Sequence, residues 1–253
     1  MSGFAILLSF IAGLSTAIGG LLAFVIKKPT NRFLAISLGF SAGVMIFVSF
    51  VELLQTGIAS VGFGRACLAF FFGMLIMFVI DVLIPHKYMA EGEEGVKGKR
   101  DLSRVGFLIA MGIAIHNLPE GLVIFAGTVH SLQLGITIAI AIALHNIPEG
   151  IAVAVPIFAA TRNRFKAFSW AFWSGMIEPL GTLLAVVFLM PFLSNVVVGM
   201  MLAMVAGIMV FISIDELVPV SQSYGEGHLS ILGLVAGMVA MAASLWMIGK
   251  GFV

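Results

Sequence analysis

The sequence predicts an all-α, polytopic membrane bundle of eight transmembrane helices with both termini outside the cytoplasm. Three observations predict it. The first is composition: a chain of 253 residues that is 61% hydrophobic and 10% charged has too little polar surface to coat a soluble globule of that size. The second is a series of eight apolar runs of about 18 to 25 residues, the length that crosses a hydrocarbon core of roughly 30 Å. The third is charge placement: eleven of the thirteen Lys and Arg residues fall in alternate connections between those runs.

Taken in order, the runs are Phe4–Ile26, Phe33–Leu54, Cys67–Ile84, Val105–Thr128, Leu132–Phe158, Phe168–Leu189, Val196–Val218 and Leu229–Ile248. The first lacks a basic leader and is long enough to span, so it reads as a membrane helix and not as a cleavable signal. Connections after the first, third, fifth and seventh runs hold Lys27, Lys28, Arg32, Lys87, Lys97, Lys99, Arg100, Arg104, Arg162, Arg164 and Lys166, leaving only Arg65 and Lys250 on the other side. The positive-inside rule then puts both ends of the chain outside. The longest connection, at about 86–103, is polar and lacks apolar periodicity, which reads as a cytoplasmic loop within one transmembrane domain covering residues 1–253. A net charge of +1, with its basic residues confined to short connections, gives no argument for nucleic acid. The single cysteine, Cys67, excludes an internal disulfide and a thiolate metal cluster within one chain.

Seven of the twelve acids lie inside apolar runs: Glu52, Asp81, Glu120, Glu149, Glu178, Asp215 and Glu216, with no Lys or Arg beside them. A carboxylate near the bilayer centre costs at least ~2.5 kcal/mol, so such residues face a cavity, a partner or a transported ion. Two near-copies of one stretch supply the other half of a site. GIAIHNLPEGLVI carries His116, Asn117, Pro119 and Glu120; AIALHNIPEGIAV carries His145, Asn146, Pro148 and Glu149. In each, histidine and carboxylate stand four residues apart and share one helix face. Each proline cannot donate to the carbonyl four residues back, so a kink that bares backbone oxygen beside the ligands is expected. At helical rise His116 lies roughly 16 Å, Glu178 roughly 15 Å and His145 roughly 20 Å into their spans, all near mid-membrane.

Imidazole, carboxylate and amide oxygen without sulfur suit Zn²⁺, Fe²⁺, Mn²⁺ or Co²⁺ and argue against Cu⁺. Adjacent His and Asn point about 100° apart on a helix, so they serve different ions, and the Glu between them in angle can bridge. The expected arrangement is binuclear: His116, Glu120, His145 and Glu149 around one ion, and Asn117, Glu120, Asn146, Glu149 and Glu178 around the other. Near the ends of their spans, Glu52 and Asp81 read as access-route acids, Asp215 and Glu216 as an interfacial helix end, and His130 as a turn residue over the outer entrance.

The pair HNLPEG and HNIPEG, followed by MIEPLG on the sixth run, resembles the ZIP (Zrt-, Irt-like protein) family of divalent-metal transporters, and most of all its bacterial branch. The likeness extends over essentially the whole chain. It implies metal movement into the cytoplasm across a bacterial inner or plasma membrane, a homodimer, and fourth and fifth helices that line the pathway. Zinc would be the main substrate, with iron, manganese, cobalt and cadmium as further ones, all carried as substrates with no resident cofactor. The loop after the third run, often histidine-rich in the family, here holds only His86. The rival class, a membrane-embedded metalloenzyme, lacks its signatures: no HExxH occurs, histidine boxes are absent, and the spacing is HxxxE where a di-iron bundle has ExxH.

Overall fold

The computed structural model describes residues 1–25, 30–83 and 117–249. His116, the connection at about 86–103 and the first part of the fourth span lie outside the described residues. Every regular element among the described residues is helical: α1 (Ser2–Val25), α2 (Asn31–Val61), α3 (Phe63–Leu83), α4 (described over 117–130), α5 (Leu132–Thr161), α6 (Arg164–Phe188), α7 (Asn195–Ser223) and α8 (Gly227–Gly249). All but α4 are, over their described lengths, long and apolar enough to cross a membrane.

The breaks follow from local chemistry. Four helices start on side-chain caps that accept an otherwise orphan backbone N–H: Thr30 from Phe33, Ser131 from Leu134, Asn163 from Lys166 and Ser194 from Val197, at 3.0–3.2 Å. Gly62, at φ 83°, takes the left-handed conformation that separates α2 from α3 without the cost a side chain would add. Within α6 the helix is interrupted at Met176, immediately before Ile177 and Glu178. Pro179 explains the weak point, because it cannot donate to the Gly175 carbonyl. Pro148, by contrast, lies inside the continuous helix α5.

Polarity is distributed inside out. Leu68, Phe71, Phe72, Leu75 and Val82 on α3 and Leu232, Val235, Val239 and Trp246 on α8 are exposed, whereas Asn117, Glu120, His145, Asn146, Glu149 and Glu178 are buried. A lipid-facing shell around a polar interior is the arrangement a bilayer demands. Helices α5 and α7 are the most buried of the long ones and α3 and α8 the least. Since lipid gives no hydrophobic drive for helix pairing, close backbone approach has to supply the contact. Helix α2 packs along α8, where a Cβ on Gly39 or Gly43 would run into the main chain at Ser230 and Leu234. Gly233 and Gly237 meet Ile36 and Phe40 in the same way from the other side. Helix α1 is drawn equally close to the motif-bearing α5, with Gly19 against the Ile147 carbonyl and Gly150 against that of Thr16.

Two spans run further than their hydropathy indicates, α2 to Val61 and α7 to Ser223. Each contains one π-helical turn, Ser49–Leu53 and Ser213–Leu217. The surrounding sequences repeat: GVMIFVSFVEL (43–53) matches GIMVFISIDEL (207–217), with Glu52 opposite Glu216 in the alignment. In each turn the serine hydroxyl donates to the carbonyl four residues back, Met45 at 2.7 Å and Met209 at 2.8 Å. The Met45 and Met209 carbonyls also accept from the Ser49 and Ser213 backbone N–H groups, so each serine holds the preceding turn through two bonds. The two copies run antiparallel: Gly57 meets Gly199 and Ala203, while Ala35 accepts a hydrogen bond from the Ser221 hydroxyl at 2.7 Å. The expectation of a helix end at Asp215 and Glu216 is therefore corrected: the helix continues past Pro219, and Glu216 is buried.

Candidate metal centre

Helices α4, α5 and α6 converge through small residues, and this convergence gathers the polar side chains. A Cβ on Gly121 would collide with the Glu178 carbonyl, and one on Gly181 with that of Leu118. The Thr182 hydroxyl donates to the Gly121 carbonyl at 2.8 Å, fixing α6 against α4 at the level of Glu120. Glu120, His145 and Glu149 then come together: one ligand atom from each lies within 4.8 Å of the other two, and all three side chains are at most 1% exposed.

The imidazole is oriented from behind. His145 Nδ1 lies 3.1 Å from the Ala141 carbonyl, and Nε2 lies 2.9 Å from Glu120 Oε1. A backbone carbonyl can only accept, so Nδ1 carries the proton and Nε2 is the atom aimed into the cluster, the arrangement usual for a metal-ligating histidine.

Both asparagines are oriented by the same device. Asn117 Nδ2 donates to the Ser174 carbonyl at 2.8 Å; Asn146 Nδ2 donates to the Ala12 carbonyl at 3.1 Å and to Glu178 Oε2 at 2.9 Å. Flipping either amide would set oxygen against oxygen, so the NH₂ groups are fixed and each Oδ1 is left over. Among the described residues Asn117 Oδ1, Glu120 Oε2, Asn146 Oδ1 and Glu178 Oε1 are buried without a hydrogen-bond partner. Each such atom costs about 1–3 kcal/mol. All four are acceptors of the kind that could coordinate a cation. Glu178 also lies within electrostatic reach of both Glu120 and Glu149, so the three carboxylates form one field of like charge.

Six of the seven ligands expected from sequence thus lie at the junction of α4, α5 and α6, and the seventh, His116, lies outside the described residues. The supporting groups were not legible in the motifs. Ala12 on α1 and Ser174 on α6 act through backbone oxygens, and Ser41 on α2 donates to the His145 carbonyl at 3.3 Å. A carbonyl has no sequence signature. The small residues Gly13 and Gly175, and Gly20 and Ala171, let α1 approach α6 and are the trace of that contact among the described residues.

Comparison with known proteins agrees with this geometry. A family model described as ZIP Zinc transporter matches residues 85–245. Proteins named Zinc transporter ZupT align along nearly the whole chain: that of Chlorobium phaeovibrioides is 50% identical over 256 residues, 95% of this chain and 96% of that protein. The Clostridium perfringens protein is 45% identical over 269 residues, covering 95% of this chain and 94% of its own length. The Streptococcus mutans protein is 47% identical over 254 residues, covering 95% and 96%. With a bundle of apolar spans around a buried carboxylate and imidazole cluster, and matches of this extent, the chain belongs to the ZIP Zinc transporter family, as a multi-pass membrane transporter and not an enzyme.

Proposed function

We propose that this chain carries Zn²⁺, with Fe²⁺, Mn²⁺, Co²⁺ and Cd²⁺ as further substrates, into the cytoplasm through a binuclear site between α4, α5 and α6. One ion is held by Glu120, His145 and Glu149 together with His116; the other by Asn117, Asn146 and Glu178, with Glu120 and Glu149 shared. The observation that carries this reading is the fully buried group of Glu120, His145 and Glu149 in a membrane bundle, with ligand atoms within 4.8 Å of one another. Like-charged carboxylates packed away from water are tolerable only with a cation to neutralise them. The names of the relatives make that cation zinc first. The two-ion arrangement is supported by the separate orientation of the histidine, which points Nε2 at Glu120, and the asparagines, which leave their oxygens over. External termini rest on the placement of Lys and Arg, and inward direction rests on the resemblance noted from sequence. A homodimer rests on the resemblance noted from sequence.

Zinc uptake into sealed proteoliposomes tests the reading. Uptake by the native chain, its loss in Glu149→Ala, and no turnover of any organic substrate are expected. Near-normal uptake by Glu149→Ala would overturn the assignment of the site.

A further inference from the structure

A second polar feature lies apart from the buried cluster. At the α4–α5 hairpin, Glu52, His130, Gln133 and Thr137 line a recess of about 250 Å³, closed at its sides by Leu134 and Leu245. The residues come from four helices. Glu52 is carried on the π turn of α2, His130 ends α4, Gln133 and Thr137 belong to the first turns of α5, and Leu245 belongs to α8. Three counts place this recess away from the cluster. Ser41, which touches the His145 carbonyl, stands eleven residues before Glu52 on α2, and Glu120 stands ten residues before His130 on α4. Thr137 stands eight residues before His145 on α5. At helical rise these are roughly 16, 15 and 12 Å.

The recess and the cluster are joined along α5. Thr137, Ala141 and His145 succeed one another at four-residue steps on one face of α5, so Thr137, in the lining of the recess, stands two turns from the imidazole. The two sites differ in water. Glu120, His145 and Glu149 are fully buried, whereas His130 and Gln133 are exposed and Glu52 is half-buried. Each water occupies about 30 Å³, so the recess has room for an ion that keeps several of its own.

We propose that this recess is a capture site for a partly hydrated divalent transition-metal ion, bound directly by the Glu52 carboxylate and the His130 imidazole, with Gln133 and Thr137 holding the retained water. The donor pair sets the class of ligand. Mg²⁺ and Ca²⁺ take oxygen shells, whereas one imidazole beside one carboxylate suits Zn²⁺, Fe²⁺ or Co²⁺. The recess therefore sorts these ions from abundant hard cations before they shed water and pass to His145. The proposal rests on the transport reading for its place as an entrance, but zinc binding at the recess does not depend on transport.

The test is zinc binding by the purified full-length chain in excess Mg²⁺, measured by equilibrium dialysis. In Glu120→Ala with Glu149→Ala the buried cluster is disabled, and about one zinc per chain is expected to remain. Adding Glu52→Gln and His130→Ala to that variant should remove it. Retention of the same zinc by the fourfold variant would overturn the proposal, as would no bound zinc in the twofold one. Should these changes disturb the fold, His130→Ala alone, at an exposed turn, serves in proteoliposomes. Loss of even a supporting ligand contact weakens metal binding about 10- to 100-fold, so half-saturation for zinc should rise at least tenfold, and an unchanged value refutes the capture role. If the native chain takes up no zinc at all, the transport reading fails, while the dialysis result still decides the recess.

Discussion

Replacing Glu120 by Gln removes one charge and almost no volume. In the native chain Glu120 Oε1 faces His145 Nε2 at 2.9 Å, and a ligand atom of Glu149 lies within 4.8 Å. For a bound zinc ion, losing one buried carboxylate partner costs about 3–5 kcal/mol, while the Gln amide still reaches His145 Nε2. At 1.4 kcal/mol per decade, that is a loss of roughly two to three and a half decades in zinc affinity. Asn117→Ala removes a neutral oxygen, worth about 1–3 kcal/mol, so its loss should be one to two decades smaller. Stability reports the difference directly. Zinc at a hundred times its dissociation constant stabilises the folded chain by about 2.7 kcal/mol, and after a hundredfold loss of affinity the same zinc gives about 0.4 kcal/mol. Without zinc, Glu120→Gln should be no less stable than the native chain, because three buried carboxylates become two. Thermal unfolding in detergent, with and without zinc and with Asn117→Ala alongside, measures all of this. A zinc-dependent shift in Glu120→Gln equal to that of the native chain would refute the reasoning.

Three further outcomes follow from the same geometry. Glu178→Ala should lower iron or manganese uptake more than zinc uptake and His145→Ala should do the reverse, since one removes an oxygen and the other a nitrogen donor; equal fractional losses of zinc and iron in both variants would place selectivity elsewhere. Gly43→Leu should destabilise the bundle by about 1–3 kcal/mol or more, because the new side chain meets the Leu234 backbone, which cannot yield; unfolding at the native temperature contradicts the close α2–α8 contact. Ser2→Cys in a Cys67→Ala background should react with an impermeant thiol reagent added outside cells, and protection from it would reverse the orientation taken from the basic residues.

The spans and the convergence of the buried polar side chains were both legible because each rests on a strong physical constraint. Twenty apolar residues have few alternatives to a membrane helix, and acids such as Glu120, Glu149 and Glu178 within them have few alternatives to a cation. Positions that depend on the path of the backbone were not legible. Glu216 was read as a helix end because hydropathy falls toward Pro219, yet a proline in the first turn after a π segment does not stop the helix. The break in α6 at Met176 was missed for the opposite reason. Pro148 precedes Glu149 and Pro179 follows Glu178, and only the second lies beside an interruption. The sequence signal for the antiparallel pair α2 and α7 is the repeat of residues 43–53 at 207–217.

That repeat also bears on why acids can occupy this bundle. Pairing of Gly57 with Gly199 and Ala203, and of Ala35 with Ser221, makes α2 and α7 cross antiparallel, with the matched π turns on opposite sides of the crossing. Glu52 lines the open recess with His130, whereas Glu216, its counterpart, is buried. One sequence device, a π turn opened by a serine, carries both carboxylates. Glu120 and Glu149 likewise stand at matched positions of a duplicated stretch, HNxPEG on α4 and α5, whereas Glu178 belongs to neither repeat. On the proposed route the two duplications therefore set acids at graded depths, so that an entering ion would meet a carboxyl oxygen before it has lost its whole hydration shell.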